Sequence, residues 1–200
     1  MVSRAAKNPS LVSYYVTDAL YDRLASLAED WQRAGPVPRA ERPDAATRED
    51  CEALVFAEAR LADDLRLEEW LDCYAAECIY WVPAGHSQAD PRREVTLEIH
   101  DRRRLEDRIA RVHTGVAYSM IPTIRTRHVL GNLEFWCVGA EEVRARASFI
   151  LHTLIKDHHR TLTGWCGYAF LREGDKWRIQ VKQVNLIDAD QPQGNNTFFL

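Results

Sequence analysis

Between Val143 and Ile155 the side chains alternate with a period of two. Val143, Ala145, Ala147, Phe149, Leu151 and Ile155 fall on one face, and Glu142, Arg144, Arg146, Ser148 and His152 on the other. Strict alternation over that length predicts an antiparallel strand with one face on a core and the other in water. Turn signals at "VGAEE", "KDHH" and "EGDK" separate four such strands from Arg125 onward. The last strand keeps its phase through Trp177, Ile179 and Val181, then switches face at Val184 and Leu186, so a bulge is expected there. A meander with one apolar face needs a second layer to cover it.

The preceding residues supply that layer. "DCEALVFAEARLADD" places Leu54, Ala57, Leu61 and Leu65 along one helical face, with Thr47 and Asp50 resembling a capping box at its start. "RLEEWLDCYA" predicts a second short helix, and "CIYWVP" and "EVTLEI" two strands. In "DRRRLEDRIAR" the residues Leu105, Ile109, Val112 and Val116 form one stripe, and Asp101 stands where an N-cap belongs. Its charges pair along the helix, Arg102 with Glu106 and Asp107 with Arg104 and Arg111, which leaves Arg103 and Arg108 spare. Helices followed by long strands predict an α+β fold, helices on one face of a strongly curved, mainly antiparallel sheet with one core over residues 46–200. Residues 1–45 read as an extension: Leu20, Leu24, Leu27 and Trp31 make an amphipathic stripe, and "GPVPRAERPD" a proline-rich tether. That helix must dock on its own domain or on a partner.

Charge and motifs narrow the function. The net charge of −4 argues against a general nucleic-acid binder. No run approaches a membrane span and the start lacks the apolar core of a secretion signal, so a soluble cytoplasmic chain is expected. Cys51, Cys73, Cys78, Cys137 and Cys166 form no C-x-x-C pair and are expected to be reduced. Nucleophile elbow, Walker A and dinucleotide fingerprints are absent. Asp63/Asp64 and Glu68/Glu69 are expected on exposed helix faces or ends. An enzyme reading survives only as a pocket between helices and sheet, where Tyr80, His100, His152 and Asp188 are the acid–base candidates.

Three stretches then point to a family. "EARLADDLRLEEWLDCYAAECIYWVP", "DRRRLEDRIARVHTGVAYSMIPTIRTRHVLGNLEF" and "NNTFFL" resemble the small (β) subunit of bacterial aromatic-ring-hydroxylating dioxygenases over residues 50–200. "FILHTLIKDHHRTLTGWCGY" leans toward the benzoate, anthranilate and toluate branch. The resemblance implies an NTF2-like, cystatin-like cone and a chain that is not itself catalytic. It implies a partner α subunit carrying a Rieske 2Fe–2S cluster and a mononuclear non-haem Fe(II), assembled as an α3β3 hexamer. Electrons would arrive from NADH through a reductase, sometimes with a ferredoxin, and two oxygen atoms would be added to the arene. A Rieske centre needs C-x-H and C-x-x-H, and all five cysteines fail both spacings. No catalytic, cofactor-binding or metal residue is therefore expected in this chain. The resemblance places subunit contacts at Arg103, Arg104, Arg108, Arg125, Arg127, Phe198, Phe199 and Leu200. Changing Arg108 to Glu is then expected to weaken assembly and leave the isolated chain folded. The alternatives are a free-standing NTF2-like dehydratase or isomerase, or a small-molecule-binding module.

Overall fold

The computed structural model describes residues 17–85, 90–115, 118–194, 196 and 198–200. Helices α1 (Asp18–Trp31), α2 (Ala45–Asp63) and α3 (Leu67–Asp72) precede strands β1 (Tyr74–Pro83) and β2 (Thr96–Asp101). Helix α4 (Arg102–His113) then leads into β3 (Arg125–Val138), β4 (Glu142–Ile155), β5 (His158–Glu173) and β6 (Lys176–Leu186). The strands form one six-stranded sheet in the order β2-β1-β6-β5-β4-β3. Neighbours are antiparallel except β1 and β6, which run parallel. The four-strand meander is thus as expected, and β1–β2 extends it beside β6.

Local chemistry explains the helix starts. Asp101 is the N-cap of α4 and accepts from the Arg104 amide at 2.8 Å, satisfying one orphan donor of the first turn. Thr17 caps α1 in the same way through the Leu20 amide. Helix α2 begins earlier than "Thr47" suggested. Asp44 is its N-cap, accepting from the Thr47 amide and hydroxyl at 2.9 Å each, so Thr47 sits in the first turn. Asp44 takes the cap because a carboxylate accepts both bonds at once, which holds its carboxyl below the usual range.

The sheet has two differently covered faces. On the inner face α2–α4 pack over Val143, Ala145, Ala147, Phe149 and Leu151, the side chosen by the alternation in β4. On the outer face α1 buries Leu20, Leu24, Leu27 and Trp31 against Ile79, Trp81, Trp136, Ala169 and Val181. The proline-rich stretch therefore returns the chain to its own fold, and a second cluster under α1 joins the core on the inner face. The register shift in β6 lies between Ile179 and Val181, opposite Phe170 and Ala169, one step before the expected switch. The extra residue, Gln180, sends Ile179 inward and Val181 outward to meet α1.

Two helical stripes need correction or completion. In α2 the buried positions are Cys51, Val55, Glu58, Ala59 and Ala62, while Leu54, Leu61 and Leu65 pack only partly buried beside them. The face is rotated because a carboxylate, Glu58, occupies its centre. In α4 Leu105 and Ile109 are buried and Val112 is partly so. Val116 falls outside the described residues.

Candidate functional site

Glu58 and Lys182 meet between α2 and the inner face, each with a side chain at most 3% exposed. Lys182 Nζ donates to both carboxylate oxygens at 2.9 and 3.0 Å, and to the Leu200 main-chain oxygen at 2.6 Å. Glu58 Oε1 also accepts from Trp70 Nε1 at 2.8 Å and from the Tyr74 hydroxyl at 2.7 Å. The Tyr80 hydroxyl donates to the Leu200 oxygen and accepts from the Leu200 amide, both at 2.9 Å. Burial of an ion pair is tolerated when the remaining lone pairs and protons find partners. Here the partners come from α2, α3, β1, β6 and the 198–200 segment together.

That segment fills the remaining space. Phe198, Phe199 and Leu200 are buried in the chain's own inner core. The Phe199 ring lies 4.6 Å from that of Trp70, with the Arg108 guanidinium 4.4 Å over it. Arg108 also donates to the Phe198 oxygen at 2.6 Å and pairs with Glu98 at 2.5 Å. Three kinds of bond thus tie α4, β2 and the segment into one clamp. Arg108, expected to be spare, is bound within the chain by Glu98 and Phe198, both outside its helix.

The buried hydroxyls and thiols around this interior are held in their neutral form. Burial raises the Tyr74, Tyr80 and Tyr168 hydroxyls well above their ordinary value. Burial likewise pushes the Cys51, Cys73 and Cys78 thiols up to about 12 and Cys166 up to about 11. Thiols so far from ionisation are poor nucleophiles and poor metal ligands. Among the described residues no group of three or more His, Cys, Asp or Glu side chains is placed to hold a metal ion. The donor set does not fit a Rieske cluster or a mononuclear iron.

The four acid–base candidates do not converge. Tyr80 and His100 face each other across β1 and β2, but the Tyr80 hydroxyl is committed to Leu200. His100 approaches Glu98 at 3.6 Å. His152 lies on the outer face, exposed and bonded to Thr161 at 3.1 Å. Asp188 lines a different cavity, of about 410 Å³, with Ile124, Thr153, Arg160 and Phe198.

The arginines chosen as contact residues split into two groups. Arg103 and Arg104 are on α4, which packs by α3, β1 and β2, whereas Arg125 and Arg127 are on β3, the far edge strand. Arg103 pairs with Asp107 at 3.9 Å, so the expectation of a spare side chain is corrected for it too: Asp107 is its own i+4 neighbour. Arg127 reaches Asp63 at 3.7 Å and is 66% exposed.

Asp63 itself is a surprise, since its side chain is only 2% exposed. It accepts from the His128 amide at 2.9 Å and lies 2.7 Å from His128 Nδ1. Burial alone would raise its carboxyl, yet the bonds from His128 outweigh this and lower it. The last turn of α2 is thereby pinned to the edge strand β3. Sequence inspection missed Asp63, Glu58 and Lys182 alike. For Glu58 and Lys182 a signal existed, a charge inside an apolar period: Cys51, Val55, Glu58, Ala62 in α2, and Lys182 at even spacing before Val184 and Leu186 in β6.

An interior closed by its own chain, on a helix-covered mixed sheet, is the setting in which the known relatives become informative. The ring hydroxylating beta subunit family matches residues 57–190, and the chain belongs to that family. It is 33% identical over 148 residues to the benzoate 1,2-dioxygenase subunit beta of Acinetobacter baylyi, covering 72% of this chain and 88% of that one. To the 2-halobenzoate 1,2-dioxygenase small subunit of Burkholderia cepacia it is 37% identical over 110 residues, 52% of this chain and 66% of the relative. The solved beta subunit of benzoate 1,2-dioxygenase from Burkholderia mallei superimposes with a TM-score of 0.63 at 26% identity, covering 80% of this chain and 99% of that one. The expected NTF2-like, cystatin-like fold class is confirmed by this match and by a solved NTF2-like neighbour. The protein is a beta subunit of the oxygenase component of an aromatic-ring-hydroxylating dioxygenase. As a small oxygenase component it works with a large one. No helix among the described residues is long and apolar enough to cross a membrane.

Proposed function

We propose that this chain is a non-catalytic assembly subunit that holds large subunits in register within an α3β3 oxygenase. The observation that carries this reading is the closed interior. The space between α2–α4 and the inner face of the sheet beside Lys182 is occupied by Glu58, Tyr80 and the chain's own Phe198–Leu200, with the donors and acceptors of that network matched to one another. A general acid or base must come within hydrogen-bond reach of a substrate proton, and these groups are spent on one another. In this reading the Rieske cluster and the Fe(II) reside in the large subunit, which performs the redox chemistry. The names of the benzoate and 2-halobenzoate relatives support an aryl carboxylate as the substrate class of the complex.

Arg103, Arg104, Arg125 and Arg127 are the proposed charged contacts with neighbouring subunits, since each is half-buried or exposed on an outward surface. Arg108 and Phe198–Leu200 act one step back, by fixing α4 against the sheet. The test is co-expression with a large oxygenase subunit that carries the Rieske motif C-x-H and C-x-x-H. A stable red-brown complex with equal amounts of the two chains is expected, and the chain alone should turn over no arene. Turnover by the isolated chain would overturn the reading, as would failure of the two chains to associate.

A further inference from the structure

The cavity that Asp188 borders is lined by neither Glu58 nor Lys182. It lies between the end of the β4–β5 hairpin and residues 188–194, and its volume of about 410 Å³ is within the roughly 300–1,000 Å³ of small-molecule sites. Thr153 and Ile155 of β4 face it in register with Arg160 and His158 of β5. Ile124 and Phe198, each 4% exposed, give it apolar walls.

Two opposite charges border this cavity, and neither is spent. Arg160 donates from Nη1 to Asn196 Oδ1 at 2.7 Å and from Nη2 to Gln193 Oε1 at 3.0 Å. Asn196 Nδ2 donates in turn to Gln193 Oε1 at 3.3 Å, so the two amides brace each other. Both acceptors are neutral. They fix the planar fork of Arg160 and leave its charge and its other N–H donors unused. Gly194 keeps room for the fork, since a Cβ there would come 3.1 Å from Nη1. Across the cavity Asp188 Oδ1 is buried with no hydrogen-bond partner among the described residues. Among those residues no ion pair joins Asp188 to Arg160, or either of them to another charged side chain. A carboxylate oxygen out of water with nothing to accept from costs folding free energy. Natural chains keep such groups chiefly where function uses them.

We propose that this cavity binds a small carboxylic acid with an apolar body and a hydrogen-bond donor, hydroxyl or amine, at its far end. The acid's carboxylate pairs with the Arg160 fork, its donor bonds to the Asp188 carboxylate, and its body packs on Ile124, Ile155 and Phe198. A carboxylic acid without the donor leaves Asp188 unsatisfied, and a neutral donor without the carboxylate leaves Arg160 uncompensated. The two wall charges together therefore select a ligand that carries both groups. The site is built within one chain, so the proposal stands or falls apart from the assembly reading.

Calorimetric titration of the full chain tests this with 3-hydroxybenzoate, 4-hydroxybenzoate and 4-(aminomethyl)benzoate, against benzoate and phenol. At least one of the three bifunctional acids should bind with a Kd below about 1 mM, and benzoate and phenol about tenfold more weakly, the worth of one charge-assisted bond. Asp188→Ala should erase the preference for that acid over benzoate. The same variant should melt at or above the wild type, because it removes an unsatisfied oxygen. Arg160→Gln should erase the preference over phenol, but it also frees Gln193 and Asn196, so Asp188→Ala is the deciding variant. If none of the three acids binds below about 1 mM, the cavity holds water only and the proposal is overturned. Equal affinity for all five compounds would overturn it as well, since the charges would then recognise nothing. So would unchanged binding by Asp188→Ala, which would put the ligand elsewhere. A lower melting temperature of Asp188→Ala would assign the carboxylate to folding and remove it from the site.

Discussion

The two faces of the sheet solve burial by different chemistry. On the inner face a charged pair, two tyrosine hydroxyls and a main-chain oxygen are sealed among apolar side chains, and the bonds connect five separate stretches of chain. On the outer face α1 is attached chiefly by shape. Trp31 lies flat where Gly167 leaves room, its Nε1 donating to the Tyr168 oxygen at 3.3 Å, and polar bonds form a rim around it. Asp30 in that rim accepts from Trp136 Nε1 at 2.8 Å and Arg144 at 2.9 Å, and Arg146 donates to the Trp31 oxygen at 3.0 Å. A buried polar network fails as a whole when one member is lost, whereas a shape contact fails locally. The inner face should therefore control global stability, and the outer face the attachment of one helix.

The sharpest way to break that contrast is Lys182→Met. It leaves the Glu58 carboxylate buried and unpaired, so a loss of about 3–5 kcal/mol in urea unfolding is expected. A loss below about 1 kcal/mol would mean that the network does not carry the inner face. Arg108→Glu comes next. It sets a carboxylate against Glu98 and releases Phe198 and Phe199, at about 2–5 kcal/mol. The chain alone should then melt lower, contrary to the sequence-based expectation that only assembly would suffer.

Gly167→Ala probes the outer face. A Cβ there would come 2.3 Å from the Trp31 ring. Expulsion of that ring should cost about 1–3 kcal/mol, with faster proteolysis before Trp31 and a shifted tryptophan emission. The far-ultraviolet dichroism of the sheet should hardly change. If Gly167→Ala instead unfolds the whole chain, the two faces are one cooperative unit.

The smallest expected effect per group is alkaline. Buried thiols raised to about 11 or 12 bind protons in the folded chain at pH values where the unfolded chain, with thiols near 9.0, has released them. Stability contributed by these groups is thus complete below pH 9 and lost as pH rises toward 12, by about 1 kcal/mol per thiol one unit above the unfolded value. The tyrosines act in the same direction above their ordinary value. A melting temperature that stays flat between pH 8 and pH 10.5 would contradict this.

The sequence by itself determined the elements and one set of faces. Alternation in β4 selected the buried side of that strand, the stripe Leu20–Leu24–Leu27–Trp31 selected the buried side of α1, and Asp101 marked the start of α4. These are local facts, decided by periods of 2 and 3.6 residues and by orphan amides at a helix end. Only tertiary structure decided where α1 docks, which way Arg108 turns, and that Asp63, Glu58 and Lys182 lie inside. Each of those outcomes depends on a partner 65 to 157 residues away. A buried charge is stable only when its distant counter-charge arrives with it, and no periodicity in one element announces the other.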